Sequence, residues 1–173
     1  MDLYIRSIKA VSRVCGVAAA LLIALGVLVV CDVVVERYGL NRTTIWQTDF
    51  VTYCLIAATF IGSPYVLMTR GHVNVDVLPL HVGEKARYWL ALFTTLLAMS
   101  FCVVMVVLSY LYWQEAWTEN WRSDTVWRAR LWIPYAAMPA GLFILTLQYA
   151  AELLCLVTGR EPPFGLTKDR IHA

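Results

Sequence analysis

Apolar residues along this chain are concentrated in four long runs that contain no Asp, Glu, Lys or Arg. The runs cover residues 14–31, 50–68, 88–114 and 131–151. A helix needs roughly 20 mostly apolar residues to cross a hydrocarbon core of about 30 Å. Each run meets or nearly meets that length, so the pattern predicts an all-α membrane protein with four transmembrane helices. We place the spans at approximately 14–35, 50–69, 88–114 and 131–152.

Composition agrees with a membrane protein and leaves little room for anything else. Hydrophobic residues form 60% of the 173 positions and charged residues 15%. The connections are too short for a soluble catalytic domain, so we expect no enzyme activity and a single transmembrane domain over residues 1–173. The net charge of +2 is too small to indicate nucleic-acid binding.

The first run is predicted to be a retained helix and not a cleaved signal peptide. Arg6, Lys9 and Arg13 precede it, as basic residues precede a signal sequence. However, the run is longer than the usual apolar segment of about 7–15 residues, and no small-residue cleavage site follows it.

The distribution of basic residues predicts the orientation. Nine of the 14 Lys and Arg residues lie in the two termini and in the loop between the second and third spans. Five lie in the other two loops. Because cytoplasmic segments carry the excess of Lys and Arg, we expect both termini in the cytoplasm and the first and third loops outside.

An aromatic face continues past the third run. Tyr110, Trp113, Trp117 and Trp121 recur at spacings of three and four residues, which places them on one side of a continuing helix. We therefore predict an amphipathic extension on the outer side. The face has two interpretations: it rests on lipid headgroups, where Trp is favoured, or it docks a partner protein.

Prolines and glycines predict shaped helices. Pro64 lies in the second run, and Pro134, Pro139 and Gly141 lie near the start of the fourth. Proline removes a backbone hydrogen bond and kinks a membrane helix. Broken helices hold ions in some transporters, but we find no internal repeat, so a structural role is the better interpretation.

Residues 70–80 alternate apolar and polar positions and form a segment too short to cross the membrane. This pattern predicts a short segment that lies flat in the cytoplasmic interface. His72, Asn74 and Asp76 could form a metal or proton site. A role at helix ends is favoured, with Arg70 complementing the dipole of the second helix and Asp76 capping a short helix.

The middles of the four spans offer little chemistry. Asp32, Asp49 and Glu152 lie at span ends, and the three histidines lie outside the spans, which argues against haem ligation. Coupled transport usually needs ionisable groups at mid-depth. The sequence therefore favours a scaffold subunit over two alternatives, an autonomous small four-helix transporter or channel and a membrane enzyme or electron carrier.

Several residues resemble a known family. The run WQTDFVTY from Trp46, with Asp49 entering the second span, is followed by Gly62 and by the segment Arg70-Gly71-His72-Val73-Asn74-Val75-Asp76, and Pro139 lies in the fourth span. This pattern resembles the small membrane subunit of TRAP (tripartite ATP-independent periplasmic) transporters, the DctQ-like family. The family often has adjacent acids followed by arginine, where this chain has Thr48 and Thr52.

The resemblance implies a sodium-coupled secondary transporter of the bacterial inner membrane that imports an organic anion such as a carboxylate. A periplasmic binding protein delivers the anion, and a large membrane subunit carries the substrate and sodium sites and moves as an elevator. The small subunit widens the fixed scaffold and helps to dock the binding protein. No catalytic, substrate-binding or metal site and no cofactor is implied on this chain.

A fixed scaffold needs interfacial anchors and close helix contacts. Candidate anchors are Arg87, Trp89, Trp113, Trp117 and Trp121. Small residues, which include Gly16 and Gly26, would permit close helix packing. Membrane lipids are expected around the bundle.

Overall fold

A computed structural model describes residues 2–69 and 84–158 of the chain. Its helices are α1 (Asp2–Val34), α2 (Gln47–Met68), α3 (Glu84–Thr118), α4 (Trp132–Tyr135) and α5 (Ala137–Val157), with a π-helical turn (Val35–Gly39) following α1. Within the described residues, four helical segments are long and apolar enough to cross a membrane, with α4 and α5 together forming the fourth. The predicted all-α membrane fold is thereby confirmed.

The helices are longer than the uncharged runs. α1 begins at Asp2, and not near residue 14, because Arg6, Lys9 and Arg13 are helical as well. Long unbranched side chains such as Lys and Arg are good helix formers and can stay in water while the helix continues. α3 likewise begins at Glu84 and ends at Thr118, beyond both ends of the predicted span.

The helices form a chain of pairwise contacts. α1 packs along α2, α2 along α5, and α5 along α3, with a smaller contact between α1 and α5. α3 therefore sits at one side and is held mainly by α4 and α5. Most of its long apolar side chains remain exposed, as expected for a surface that faces lipid or another membrane helix.

A narrow stripe on α1 faces the rest of the bundle. Ile5, Ile8, Ser12, Cys15 and Ala19 are buried at alternating spacings of three and four, and Gly26 is buried seven residues further along. The Ser12 hydroxyl donates a 2.9 Å hydrogen bond to Oε1 of Gln148 on α5. Because both side chains are almost fully buried, this bond satisfies polar groups that would otherwise be stranded among apolar ones.

Small residues allow α1 and α2 to approach closely. Gly62 is buried, and a Cβ added there would lie 3.0 Å from the Cβ of Ala19. A Cβ on Gly16 would overlap the Tyr65 ring. Gly16 and Gly62 thus lie where the predicted close helix contacts occur.

The contact between α2 and α5 depends on Pro64 and Gly141. Pro64 has no N–H to donate to the carbonyl of Phe60, and the Ser63 hydroxyl donates to that oxygen at 2.8 Å instead. Gly141 packs directly on this carbonyl, so that an added Cβ would overlap it and would lie 3.0 Å from the Ile61 nitrogen. α2 continues through Pro64 without a break.

The fourth span is interrupted at its start, as its prolines predicted. α4 ends at Tyr135 and α5 begins at Ala137. Pro139 lacks the N–H that would bond to the Tyr135 carbonyl, so this one helical hydrogen bond is missing. The N–H groups of Ala136 and Ala140 still bond to the Trp132 and Ala136 carbonyls at 3.1 and 3.3 Å. In the first turn of α5 a proline costs little, because those N–H groups have no helical partner.

Part of the sequence-based prediction lies outside the described residues. This applies to the interfacial segment with Arg70, Gly71, His72 and Asp76. Arg87 belongs to α3, but its side chain is also outside the described set. The cytoplasmic placement of the termini stays a prediction.

Candidate functional site

Aromatic and polar side chains gather at one end of the bundle. We call this the aromatic end; it consists of the start of α2, the last turns of α3, α4, and the connection from residue 119 to residue 131. Several ring–ring contacts join these parts. Most of the predicted interface residues that the structure describes lie here.

The first group of rings joins α3 to α4. The Trp113 indole N–H donates a 3.0 Å hydrogen bond to the backbone carbonyl of Trp132. The Trp117 ring lies edge-on to Trp132 with centroids 4.3 Å apart, and Trp113 contacts both Trp117 and Tyr110. The polar tip of Trp113 is therefore used inside the chain and is not available to a lipid headgroup.

Trp121 does not share this face, so the predicted helical extension is correct only as far as Thr118. Asn120 adopts a left-handed conformation with φ of 52°. The N–H groups of Asn120 and Trp121 bond to the carbonyls of Trp117 and Ala116 at 3.3 and 3.1 Å. This is the Schellman arrangement that ends a helix.

Past the helix end, the Trp121 ring turns to a second group. It lies 5.4 Å from Tyr112, which in turn lies 5.3 Å from Tyr135 on α4. Two sets of rings therefore join α3 to α4, one through Trp132 and the other through Tyr135.

The following residues form a short hairpin, which we call the 121–131 hairpin. Leu131 N–H bonds to the Trp121 carbonyl at 3.0 Å, and Ser123 N–H bonds to the Ala129 carbonyl at 2.9 Å. Arg122 and Arg130 lie opposite each other in the antiparallel pairing between these bonds. The tip is closed by an Arg128 N–H bond to the Thr125 carbonyl.

The hairpin packs onto the start of α2. The Trp127 ring stacks on Tyr53 with centroids 6.1 Å apart and also contacts Trp46 at 6.3 Å. The Thr125 hydroxyl donates a hydrogen bond to Oδ2 of Asp49. Asp49 lies in the first turn of α2, where the helix dipole favours a carboxylate.

Thr48 and Thr52, the two departures from the family pattern, do not contribute to this contact. The Thr52 hydroxyl donates at 3.0 Å to the Thr48 carbonyl within its own helix. Asp49 instead meets the hydroxyl of Thr125 from the hairpin.

Gln47 ties α2 to the end of α1. Its amide Nε2 donates to Glu36 Oε2 at 2.7 Å, and its Oε1 accepts from Ile45 N–H at 3.2 Å. Only 3% of Gln47 is exposed. Buried polar groups need such partners, so this side chain fixes the path of the first loop.

Some of these residues were predicted from the sequence and others were not. Trp46, Asp49, Trp113 and Trp117 lie at the aromatic end, and Pro139 starts α5 beside it, whereas Gly62 lies in the α1–α2 contact. Tyr53, Thr125 and Trp127 were not singled out as contacts. The sequence signal for this contact was Trp127 in a loop that also carries Ser, Thr and Asp, which are residues typical of turns.

The aromatic end offers surfaces for recognition. Among residues 2–69 and 84–158, no group of three or more His, Cys, Asp or Glu side chains lies close enough to hold a metal ion. Rings, hydroxyls and guanidinium groups predominate instead. Such groups bind headgroups, carboxylates and protein surfaces.

Replacing Trp127 with alanine is expected to release the hairpin from α2. Each ring contact contributes about 0.5–1.5 kcal/mol beyond area burial, and loss of two such contacts should favour local opening by about tenfold or more. Limited trypsin digestion of the detergent-solubilised protein should cut after Arg122 and Arg128 correspondingly faster. The matched control is Val126→Ala, because Val126 is 83% exposed at the hairpin tip. Equal cleavage rates in both variants would show that Trp127 does not hold the hairpin.

The chain is similar in sequence to known proteins. Residues 26–159 match the family described as "Tripartite ATP-independent periplasmic transporters, DctQ component". A relative from Vibrio cholerae serotype O1, named C4-dicarboxylate TRAP transporter small permease protein DctQ, is 23% identical over 148 residues. The alignment covers 73% of this chain and 64% of that relative, so the chain spans less than two thirds of the relative's length. No solved structure matches the chain.

Proposed function

Because the chain belongs to the DctQ component family of the tripartite ATP-independent periplasmic transporters, we propose that it is the small scaffold subunit of a sodium-coupled importer of an organic anion. It is a multi-pass protein of the bacterial inner membrane. The anion is proposed to be carboxylate-like, in keeping with the relative named for C4-dicarboxylates.

The observation that carries the scaffold role is the absence of charge in the four apolar runs that form the middle of the membrane-length helices. Residues 14–31, 50–68, 88–114 and 131–151 contain no ionisable Asp, Glu, Lys or Arg. Coupled transport needs such groups or polar backbone at mid-depth. Substrate and sodium sites are therefore proposed to lie on a large partner subunit, with no cofactor on this chain.

The shape of the bundle supports a stationary role. α3 has 35 residues, about 52 Å of helix, so it must tilt or protrude from a core of about 30 Å. The rings of the aromatic end stand near one membrane surface, where Trp and Tyr resist movement along the normal. An elevator needs such a part that stays fixed while another part moves.

The aromatic end is also proposed to help to dock the periplasmic binding protein. This requires the predicted orientation, in which the first and third loops are outside. The hairpin and the first loop are both linked to the start of α2, so together they form one continuous surface for a soluble partner.

Isolation of the tagged full chain from its native membrane in a mild detergent tests this function. We expect a larger multi-span protein to co-purify in a fixed stoichiometric ratio. We also expect the chain reconstituted alone in liposomes to show no uptake of dicarboxylate driven by a sodium gradient. Liposomes that contain both proteins and the binding protein are the positive control.

Two results would contradict the proposal. A chain that purifies alone as a monomer or homo-oligomer would remove the scaffold role. Uptake by the chain alone, with loss of activity on substitution of Asp32 or Asp49, would support the autonomous transporter or channel instead.

A further inference from the structure

Three arginines of the 121–131 hairpin have no acidic partner among the residues that the structure describes. Arg122, Arg128 and Arg130 are all exposed, and none forms an ion pair with another described residue. The hairpin contains a single carboxylate, Asp124, which is exposed as well. The hairpin therefore presents a net positive charge that the described part of the chain does not neutralise.

The pairing of the hairpin brings two of these charges together. Arg122 and Arg130 are directly opposite each other in an antiparallel bridge. Residues in such positions project on the same face with Cβ atoms about 4.5–5.5 Å apart, and like charges there are unfavourable. An anion placed between the two guanidinium groups would remove this repulsion and would accept hydrogen bonds from both.

The hairpin also has a concave surface suited to a small anionic group. Arg122 and Arg128 line it together with Ser123, Asp124, Thr125 and Val126, and Arg130 lies opposite Arg122 in the bridge beside it. The Ser123 and Thr125 hydroxyls hydrogen-bond to each other at 2.9 Å, and Thr125 also bonds to Asp49. With Trp127 packed on Tyr53, the backbone that carries the arginines is held in place before any ligand binds.

The position of the hairpin relative to the membrane indicates the source of the anion. Tyr53 lies three residues inside the start of the uncharged run of α2, at residue 50, about 5 Å along the helix. Trp127 stacks on it, so the neighbouring hairpin residues lie near the level of the lipid headgroups. Arginine pairs with phosphate in bidentate geometry, which suits a phosphodiester at this depth.

We propose that the 121–131 hairpin is a binding site for an anionic phospholipid, whose phosphate lies between Arg122 and Arg130 with Arg128 at its edge. This lipid would fasten the hairpin to the membrane surface. The site is independent of the transport role and of the orientation of the chain, because it requires only a leaflet that contains phosphatidylglycerol.

Native mass spectrometry of the full chain with added phosphatidylglycerol or phosphatidylethanolamine tests the site. We expect preferential retention of phosphatidylglycerol, and about a tenfold loss of that retention in the double variant Arg122→Gln/Arg130→Gln, which removes two charge-assisted contacts. The control is Arg37→Gln/Arg42→Gln, which removes the same charge from exposed arginines of the π-helical turn and first loop and should retain the lipid.

A second variant separates loss of the site from loss of the hairpin. Arg122→Glu places opposite charges across the antiparallel pair, which favours the hairpin fold. We therefore expect it to lose phosphatidylglycerol while trypsin cleavage after Arg128 becomes no faster. Accelerated cleavage would overturn the argument from like-charge repulsion.

Other outcomes would overturn the lipid site itself. The wild-type chain could show no preference for phosphatidylglycerol, or the two double variants could lose it equally, as a non-specific charge effect would require. Displacement of the lipid by equimolar inorganic phosphate would assign the arginines to a soluble anion. If Arg122→Gln/Arg130→Gln retained the lipid but no longer cross-linked to the periplasmic binding protein, the arginines would be assigned to protein docking.

Discussion

Replacement of Gly141 with alanine is expected to destabilise the bundle by about 2 kcal/mol. Overpacking typically costs about 1–3 kcal/mol, and the upper end of about 3 kcal/mol applies here because the contacted group is the Phe60 carbonyl, which is backbone and cannot rotate away as a side chain can. Alanine gains about 1 kcal/mol of helix propensity over glycine. The net loss remains large because Pro64 and Ser63 already fix the position of this carbonyl.

A series of glycine substitutions provides the control. A Cβ on Gly26 would meet Cys54 at an ordinary 3.9 Å, whereas one on Gly62 would meet Ala19 at 3.0 Å. Gly26→Ala should leave the free energy of unfolding unchanged or slightly raised, and Gly62→Ala should lie between it and Gly141→Ala. Reversible unfolding in mixed micelles with increasing dodecyl sulfate, followed by circular dichroism, measures all three. Equal stabilities for Gly26→Ala and Gly141→Ala would contradict the close contact between α2 and α5.

Replacement of Trp113 with alanine is expected to cost about 2–3 kcal/mol. It removes a hydrogen bond to the Trp132 carbonyl, worth about 1 kcal/mol. It also removes ring contacts with Tyr110 and Trp117, worth about 0.5–1.5 kcal/mol each. Trp113→Phe keeps a ring but loses the N–H, so it should cost about 1 kcal/mol. The same unfolding measurement applies.

The matched control for Trp113 is Trp89, which is also on α3 but is 68% exposed. Its ring contacts Tyr88, the preceding residue. Trp89→Ala should therefore leave the unfolding free energy almost unchanged. If Trp113 acted as a headgroup anchor alone, the two alanine variants would behave alike. A large difference between them would show that Trp113 joins α3 to α4.

The two interpretations of the aromatic face need revision at the level of individual residues. The sequence placed Tyr110, Trp113, Trp117 and Trp121 on one surface facing either lipid or a partner. In the structure Trp113 is turned toward α4 through its N–H, while Trp117 is 52% exposed. Spacing alone cannot distinguish these cases, since neither the helix end at Asn120 nor the partner of an indole N–H is encoded in it.

The hairpin contact illustrates why the site was only partly predictable. Asp49 and Thr125 are 76 positions apart in the chain, and no local pattern links them. Trp127 stacks on Tyr53 of α2. Its contact with Tyr53 depends on how far the hairpin folds back over α2, which is set by the Arg128 turn and the path of residues 121–131.

The close contact at Gly141 also could not be predicted from local sequence patterns. Pro64 and Gly141 were both noted as shaping their own helices. That the carbonyl freed by Pro64 should face Gly141 is a relation between two helices in space. The Ser12–Gln148 hydrogen bond is similar: Gln148 is a rare polar residue in an apolar run, but its partner on α1 is unmarked in the sequence.

The sequence by itself determined the fold class, the number of spans and their approximate positions. These depend on a local property, because charged groups are costly at every point of a hydrocarbon core. Which helix faces meet was decided only in the tertiary structure. In a membrane all faces of a helix are apolar, so hydrophobicity cannot select one. Small residues, a buried Ser–Gln pair and the rings of the aromatic end select the contacts instead, through shape and hydrogen bonding.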